Sequence, residues 1–228
     1  KYQIKVIDIS KAEYSEIVVD DTRTKSGANE VGFKFEVLKQ TLDHIIINVP
    51  VFKTNQQIGF SGGIENLIRL GSKKTQEVIF ANNFNKMLAK FVLAVNNNAK
   101  GILNIGDGSI GMHGQGPTTL GEPAFLNLIM ASRNALALDS AFCKVSDIKE
   151  IKYINELKNI SELGDIITVG DDVDSINITL KKPETNKTAH PDIGLIDGNG
   201  CYNCFYSVIN LTSKLAGCRG EKIRIAIG

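Results

Sequence analysis

Two short and mostly apolar segments, residues 45–49 and residues 101–105, constrain the fold more than any other feature of the sequence. The first reads Ile-Ile-Ile-Asn-Val, which is typical of a parallel strand buried on both faces of a sheet. Between the two segments, apolar residues recur at helical spacing over residues 75–96. Strands that alternate with helices in this way predict an α/β fold, with a mainly parallel, Rossmann-like sheet and helices on both of its faces.

The rest of the chain continues this alternation. Further strands are predicted at residues 2–9, 17–19, 126–130, 166–169 and 176–180, and further helices at residues 33–42, 61–70, 134–143 and 147–158. The polar connection Lys181–Asp192 divides the chain into an α/β core, residues 1–180, and a C-terminal segment, residues 181–228, that packs on the core. This segment is expected to form a cysteine-bearing helix, Tyr202–Leu215, and a final strand, Ile223–Ile227.

The composition excludes several classes of protein. Lys and Arg number 26 against 25 Asp and Glu, and this net charge of +1 argues against nucleic-acid binding through a broad basic surface. Four cysteines in 228 residues are too few for a disulfide scaffold, and no apolar run is long enough to span a membrane. We therefore expect a cytoplasmic protein with neither a nucleic-acid nor a membrane partner. Because the chain opens at Lys1 on a strand-like pattern, we also expect it to be part of a longer polypeptide.

A glycine-rich segment, residues 106–117, follows the second apolar strand and is predicted to be a loop. Ligands of α/β sheets bind beyond the carboxyl ends of strands, where Asp107 and His113 are candidate catalytic residues. Backbone N–H groups of such a loop can form an anion-binding nest. The candidate cofactor-binding glycines are Gly106, Gly108, Gly114 and Gly116. The alternative is a long turn whose glycines satisfy geometry only, with His113 exposed and idle.

A second candidate site follows the first apolar strand. Lys53 comes just after that strand, and Ser61 opens a predicted helix that contains Asn66. Free N–H groups at the start of a helix favour an anion, so Lys53, Ser61 and Asn66 are candidates for clamping a phosphate or carboxylate. The alternative is a solvated lysine beside an ordinary capped helix.

The strongest chemical signal is a group of cysteines near the C-terminus. Cys201 and Cys204 form a C-x₂-C pair, and thirteen residues separate Cys204 from Cys218. Three thiolates can hold three corners of a four-iron cluster or three positions on zinc. Cys143 or His190 would be the fourth ligand. A [4Fe-4S] cluster is the favoured interpretation, and zinc, a catalytic dithiol or three partly buried free cysteines are the alternatives.

These segments resemble a prokaryotic family called domain of unknown function 362, members of which sometimes carry iron–sulfur motifs. The resemblance depends on the order and spacing of segments 48–54, 59–71, 102–117, 129–145, 200–217 and 223–228. The fourth segment corresponds to a family helix that carries an aspartate, here Asp139. Two positions depart from the family pattern, since members commonly have histidine where Asn55 stands and an acidic residue where His113 stands.

The resemblance has two further implications. Family members usually have an α/β portion before the part that matches residues 1–50, which implies that this chain is a fragment, a processed product or a short form. A more distant similarity to the nickel-dependent lactate racemases implies a two-lobed α/β architecture.

Three functions remain open from the sequence. The first is an iron–sulfur protein with a redox or electron-transfer role, which acts as an oxidoreductase on a small anionic molecule or a redox partner protein. The second is a metal-dependent racemase or lyase in which Lys53, Asp107 and His113 converge on an anionic substrate, with the cysteines structural or bound to zinc. The third is a binding module without turnover. A homodimer is compatible with each.

Overall fold

The computed structural model describes residues 4–19, 32–117, 120–184, 192–197, 202–215, 220 and 222–227. The strands are β1 (Tyr14–Val19), β2 (Phe33–Leu38), β3 (Ile45–Asn48), β4 (Val51–Asn55), β5 (Gly59–Ser61), β6 (Gly101–Gly114), β7 (Gly121–Ala124), β8 (Leu128–Ser132), β9 (Ile193–Asp197) and β10 (Ile223–Ile227). The helices are α1 (Gln40–Asp43), α2 (Gly63–Asn66), α3 (Lys73–Ala81), α4 (Phe84–Asn98), α5 (Ala135–Val145), α6 (Lys152–Ile160) and α7 (Tyr202–Lys214).

A central sheet of six strands is organised around β6. β3 and β4 pair in parallel with successive parts of β6, whereas β7 and β8 pair with it antiparallel and β5 pairs antiparallel with β4. β1 and β2 form a separate antiparallel pair. The predicted α/β fold, with parallel central strands and packed helices, is therefore confirmed.

The two faces of the central sheet differ in burial. Asn48 of β3 and Asn104 of β6 point to the same face and are buried beneath the helices. Ile45 and Ile47 point to the other face and are 66% and 62% exposed. The prediction that residues 45–49 are buried on both faces is therefore wrong, because alternate side chains of a strand point to opposite faces and the structure covers one of them.

The main core lies between the buried face of the sheet and the helices. Phe52 of β4 stacks on Phe142 of α5 with ring centroids 3.9 Å apart, and Phe60 of β5 lies 5.1 Å from the same ring. These contacts hold the β4–β5 hairpin against α5. The helical spacing of apolar residues corresponds to α4, but residues 87–92 are all buried, so this part of the helix is enclosed on most sides rather than on one.

Four of the predicted secondary-structure elements differ in the structure. Residues 33–42, predicted as a helix, form β2 followed by the single turn α1, because Phe35 and Val37 alternate with more exposed neighbours and pack into the core. The described part of the predicted strand at residues 2–9 has no strand pairing, and Ile9–Lys11 form a 3-10 turn. The segments 166–169 and 176–180 also lie outside any strand of the described chain.

The C-terminal segment forms a small β–α–β unit. β9 and β10 pair in parallel, and Leu195, Ile209 and Ile227 form a separate small core between them and α7. The division of the chain after residue 180 stays a prediction. None of the helices in the described ranges has the length and apolar character needed to cross a membrane.

Candidate functional site

A surface cleft of about 540 Å³ lies among strands β4 and β5 and helices α2 and α3. Lys53, Ser61 and Asn66, the predicted anion-binding residues, all line it. Four further charged residues of the lining were missed by sequence reasoning: Glu65, Arg69, Lys73 and Glu77. They recur every four residues, but they lie on α2, on the 3-10 turn after it and on α3, so this spacing alone does not place them on one side of a single helix.

Strand pairing fixes the position of Lys53. Lys53 of β4 lies directly opposite Ser61 of β5 in the antiparallel register, so the two side chains are neighbours on one face of the hairpin. Phe52 and Thr54 alternate with Lys53 and are buried on the other face. The Ser61 hydroxyl oxygen accepts a hydrogen bond from Asn55 Nδ2 at 2.9 Å, which leaves the hydroxyl hydrogen able to donate to a ligand.

Three charged side chains of the cleft have no direct partner in the described part of the chain. Among the residues that the structure describes, Lys53, Glu65 and Arg69 form neither a hydrogen bond nor an ion pair. Lys73, by contrast, lies 3.8 Å from Glu77. Burial raises the pKa of the Glu65 carboxyl, although the positive charges of Lys53 and Arg69 act in the opposite direction. The cleft therefore presents to solvent the cations of Lys53 and Arg69, which have no direct ion-pair partner among the described residues and only the nearby charge of Glu65 to balance them.

The N-terminus of α2, predicted to bind an anion from solution, is occupied by the carboxylate of Asp139. The N–H groups of Gly63 and Ile64 donate to the two oxygens of Asp139 at 2.6 and 2.9 Å. Burial raises the pKa of this carboxyl to about 7, against the lowering effect of these two hydrogen bonds. The helix end thus binds no external anion, and Ser61 does not cap it, because the residue before α2 is Gly62.

A chain of buried amides fastens α2 to the sheet. Asn66 Nδ2 donates to Asn48 Oδ1 at 2.7 Å, and Asn48 Nδ2 donates to Asn104 Oδ1 at 2.8 Å and to the Gly63 carbonyl at 2.9 Å. Asn104 Nδ2 in turn donates to the Ser132 carbonyl at 3.1 Å. Asn66 therefore positions the wall of the cleft through its amide nitrogen.

The glycine-rich segment is a strand over most of its length. β6 extends to Gly114, so the predicted loop at residues 106–117 is wrong for residues 106–114. A side chain at Gly106 would collide with the Phe52 ring, and a Cβ atom at Gly108 would lie 2.8 Å from the carbonyl oxygen of Leu128. These glycines allow close packing across the sheet, and a cofactor-binding role for them stays a prediction.

The end of this segment is joined to β4 and its turn. The Gly114 carbonyl accepts a hydrogen bond from Thr54 Oγ1 at 3.0 Å, and the Gly114 N–H donates to the Lys181 carbonyl at 2.8 Å. The Gly116 carbonyl accepts from the Gln56 N–H at 3.0 Å, and a side chain at Gly116 would collide with the Thr54 carbonyl. Their backbone groups thus bind other parts of the chain, and their predicted cofactor contacts also stay untested.

Asp107 and His113 lie outside the described lining of the cleft. Asp107 is bound locally, since its Oδ1 atom accepts from the N–H and the hydroxyl of Ser109, and these bonds lower its pKa. His113 Nδ1 accepts from the Lys181 N–H at 3.3 Å. The β4–β6 register places Asp107 opposite Val51 and Met112, the residue before His113, opposite Lys53, with a bulge in β6 between the two pairs. The backbones of Asp107 and His113 therefore lie near Lys53, and the convergence of the three side chains on one substrate stays a prediction.

The cysteines are only partly described. Cys201, Cys218 and His190 lie outside the described residues. Cys204 is exposed in the first turn of α7, and Cys143 is half-buried on α5, where burial and the charge of Asp139 raise the pKa of its thiol. Within the described ranges, no three His, Cys, Asp or Glu side chains are grouped as metal ligands. The predicted cysteine site stays a prediction.

Comparison with known proteins identifies the family. A family model described as domain of unknown function (DUF362) matches residues 1–144, which is more than half of the chain, so the chain belongs to this family. The matched part contains the whole cleft and Asp139, and it ends before Cys201, Cys204 and Cys218. The comparisons with curated proteins and with solved structures found no match.

Proposed function

We propose that this member of the DUF362 family binds a small oxyanion, the carboxylate or phosphate group of a small molecule, in the cleft that contains Lys53 and Arg69. The observation that carries the proposal is the pair of cations without a hydrogen-bond or ion-pair partner in the described structure. A guanidinium group can bind a carboxylate or phosphate through two parallel hydrogen bonds, and an ammonium group adds a point charge. A volume of about 540 Å³ is appropriate for a small molecule.

The neighbouring side chains support the same function. Ser61 supplies a hydroxyl donor next to Lys53 in the hairpin register. Phe80 and Pro117 add apolar surface to the lining, against which the uncharged part of a ligand can pack.

Calorimetric titration of the chain with sulfate tests this function. Sulfate carries the same kind of charge as the proposed ligand group and keeps that charge near neutral pH. Wild-type chain is expected to bind sulfate in a salt-dependent manner, and the Lys53→Met variant to lose at least about tenfold in affinity, because an ion–ion hydrogen bond is worth roughly 1.5–3 kcal/mol.

The matched control is Lys149→Met. Lys149 is exposed and lies 3.0 Å from Asp147, outside the lining of the cleft. This variant is expected to bind sulfate like the wild type. Equal affinities of the wild type and Lys53→Met would contradict the proposal.

We also propose an iron–sulfur cluster, of the [4Fe-4S] type, held by Cys201, Cys204 and Cys218, with a redox or electron-transfer role that serves the bound anion or a partner protein. The exposure of Cys204 in the first turn of α7 supports this proposal, because a metal can reach the thiol there. A cytoplasmic location is part of it, since a reducing compartment keeps thiols available for a cluster.

Metal and sulfide analysis of anaerobically purified chain, together with electron paramagnetic resonance, tests this second proposal. Iron and acid-labile sulfide are expected in the wild type and should be lost in Cys204→Ser. Zinc without iron would contradict the cluster and support the zinc alternative, and sulfate binding at the cleft should be the same in both proteins.

A further inference from the structure

Glu65 places a carboxylate inside the cleft proposed to bind an anion. Glu65 is half-buried on α2, and in the described part of the chain its oxygens accept no hydrogen bond. Like charges repel strongly at the short distances within a partly desolvated cleft. An ionised Glu65 therefore opposes the binding of any anion to Lys53 and Arg69, and this repulsion disappears if the carboxylate takes up a proton.

The charges that face Glu65 come from four elements. Lys53 of β4 and Arg69 of the 3-10 turn after α2 favour its ionised form. Asp139 of α5 carries a like charge that interacts unfavourably with it. On α3, Lys73 lies 3.8 Å from Glu77, so these two charges partly compensate each other. An anion bound to Lys53 and Arg69 would offset the two charges that keep Glu65 ionised.

We propose that anion binding in the cleft is coupled to the uptake of one proton by Glu65, an inference that rests on the binding function proposed above. The proton comes from solvent and bonds to a carboxylate oxygen of Glu65, which converts a repelling charge into an O–H donor toward the anion. Binding of the anion and of the proton then favour one another reciprocally. Affinity for the anion increases as the pH falls.

Titration calorimetry of the full chain with sulfate, in two buffers of different ionisation enthalpy, counts the protons taken up for each sulfate bound. Wild-type chain is expected to take up a fraction of a proton for each sulfate bound, about 0.4 on average, and to gain about tenfold in affinity between about pH 8 and about pH 5.5, as a coupling of one pKa unit requires. Glu65→Gln should lose both the proton uptake and the pH dependence. It should also bind sulfate more tightly than the wild type at the higher pH, because its neutral amide does not repel the anion.

Each other acidic group near the cleft gives a competing outcome. Proton uptake that persists in Glu65→Gln, or that disappears instead in Asp139→Asn or Glu77→Gln, would overturn the assignment to Glu65 and leave the binding function intact. Sulfate binding without proton uptake in the wild type would also overturn it. A wild-type chain that fails to bind sulfate at either pH would contradict the proposed binding function itself.

Discussion

Two carboxylates meet at helix α2, and burial raises the pKa of both, yet their surroundings are different. Asp139 is fully buried and accepts hydrogen bonds from the N–H groups of Gly63 and Ile64. Glu65 lines the cleft beside Lys53 and Arg69, and the described chain provides no hydrogen bond to it. Asp139 therefore stabilises the fold, whereas the charges of Glu65, Lys53 and Arg69 can contact a ligand in the cleft.

The largest expected effect is the loss of the Asp139 carboxylate. Asp139→Ala leaves two buried N–H groups of α2 without an acceptor, and each unsatisfied buried donor costs roughly 1–3 kcal/mol. We expect the free energy of unfolding, measured by urea denaturation, to fall by about 3 kcal/mol. The exposed Asp165→Ala variant should stay within about 0.5 kcal/mol of the wild type. A similarly small change in Asp139→Ala would contradict the stabilising role of the Asp139 carboxylate.

The pH dependence of the unfolding free energy tests the role of Asp139 a second time. The pKa of Asp139 is about 7 in the folded chain against an ordinary value of 3.8, so the folded state holds this proton more tightly than the unfolded state. The stability contributed by the protonated carboxyl is complete below about pH 4 and is lost as the pH rises through about 7.

Asp139→Asn has no group to titrate at this position. The difference in unfolding free energy between the wild type and Asp139→Asn should therefore shift steadily against the wild type from about pH 4 to about pH 7. A difference that is constant over this range would show that the two states bind the proton equally.

The two described cysteines extend the comparison to thiols. Cys204 is exposed, whereas burial and the charge of Asp139 raise the pKa of the Cys143 thiol. Because the thiolate is the reactive form, a disulfide reagent should modify Cys204 at least about tenfold faster than Cys143 in the metal-free chain. Mass spectrometry of the labelled peptides measures both rates. Equal rates would argue against the burial of Cys143.

The smallest effect is expected at His113. His113 accepts a hydrogen bond from the Lys181 N–H and lies outside the described lining of the cleft. His113→Ala should change the unfolding free energy by no more than about 1 kcal/mol and leave the affinity for sulfate unchanged. A large loss of sulfate affinity would indicate that His113 takes part in anion binding.

The sequence predicted those parts of the fold that depend on local patterns. The apolar runs at residues 45–48 and 101–105 are strands, and the helical spacing in residues 75–96 corresponds to α3 and α4. The alternation in residues 33–38 is too short to predict a strand. The glycines of β6 predict a loop, because the sequence does not show that Phe52 packs against Gly106.

Only part of the cleft could be predicted, because several of its residues come together only through tertiary structure. Lys53 and Ser61 follow directly from strand positions, but Glu65, Arg69 and Lys73 are distributed over three short helical segments interrupted at Gly71. Asp139 reaches the start of α2 from 76 residues away, so a single sequence gives no sign that the helix end is already occupied. Such tertiary pairing decides which predicted anion site is open to a ligand.

Titration of isotopically labelled chain with sulfate, followed by backbone amide resonances, locates the bound anion residue by residue. Saturable shifts are expected to concentrate at Lys53, Ser61 and the residues from Glu65 to Arg69, and to be lost in Lys53→Met. Shifts concentrated instead at residues 106–114, or at none of these positions, would contradict an anion-binding site in this cleft.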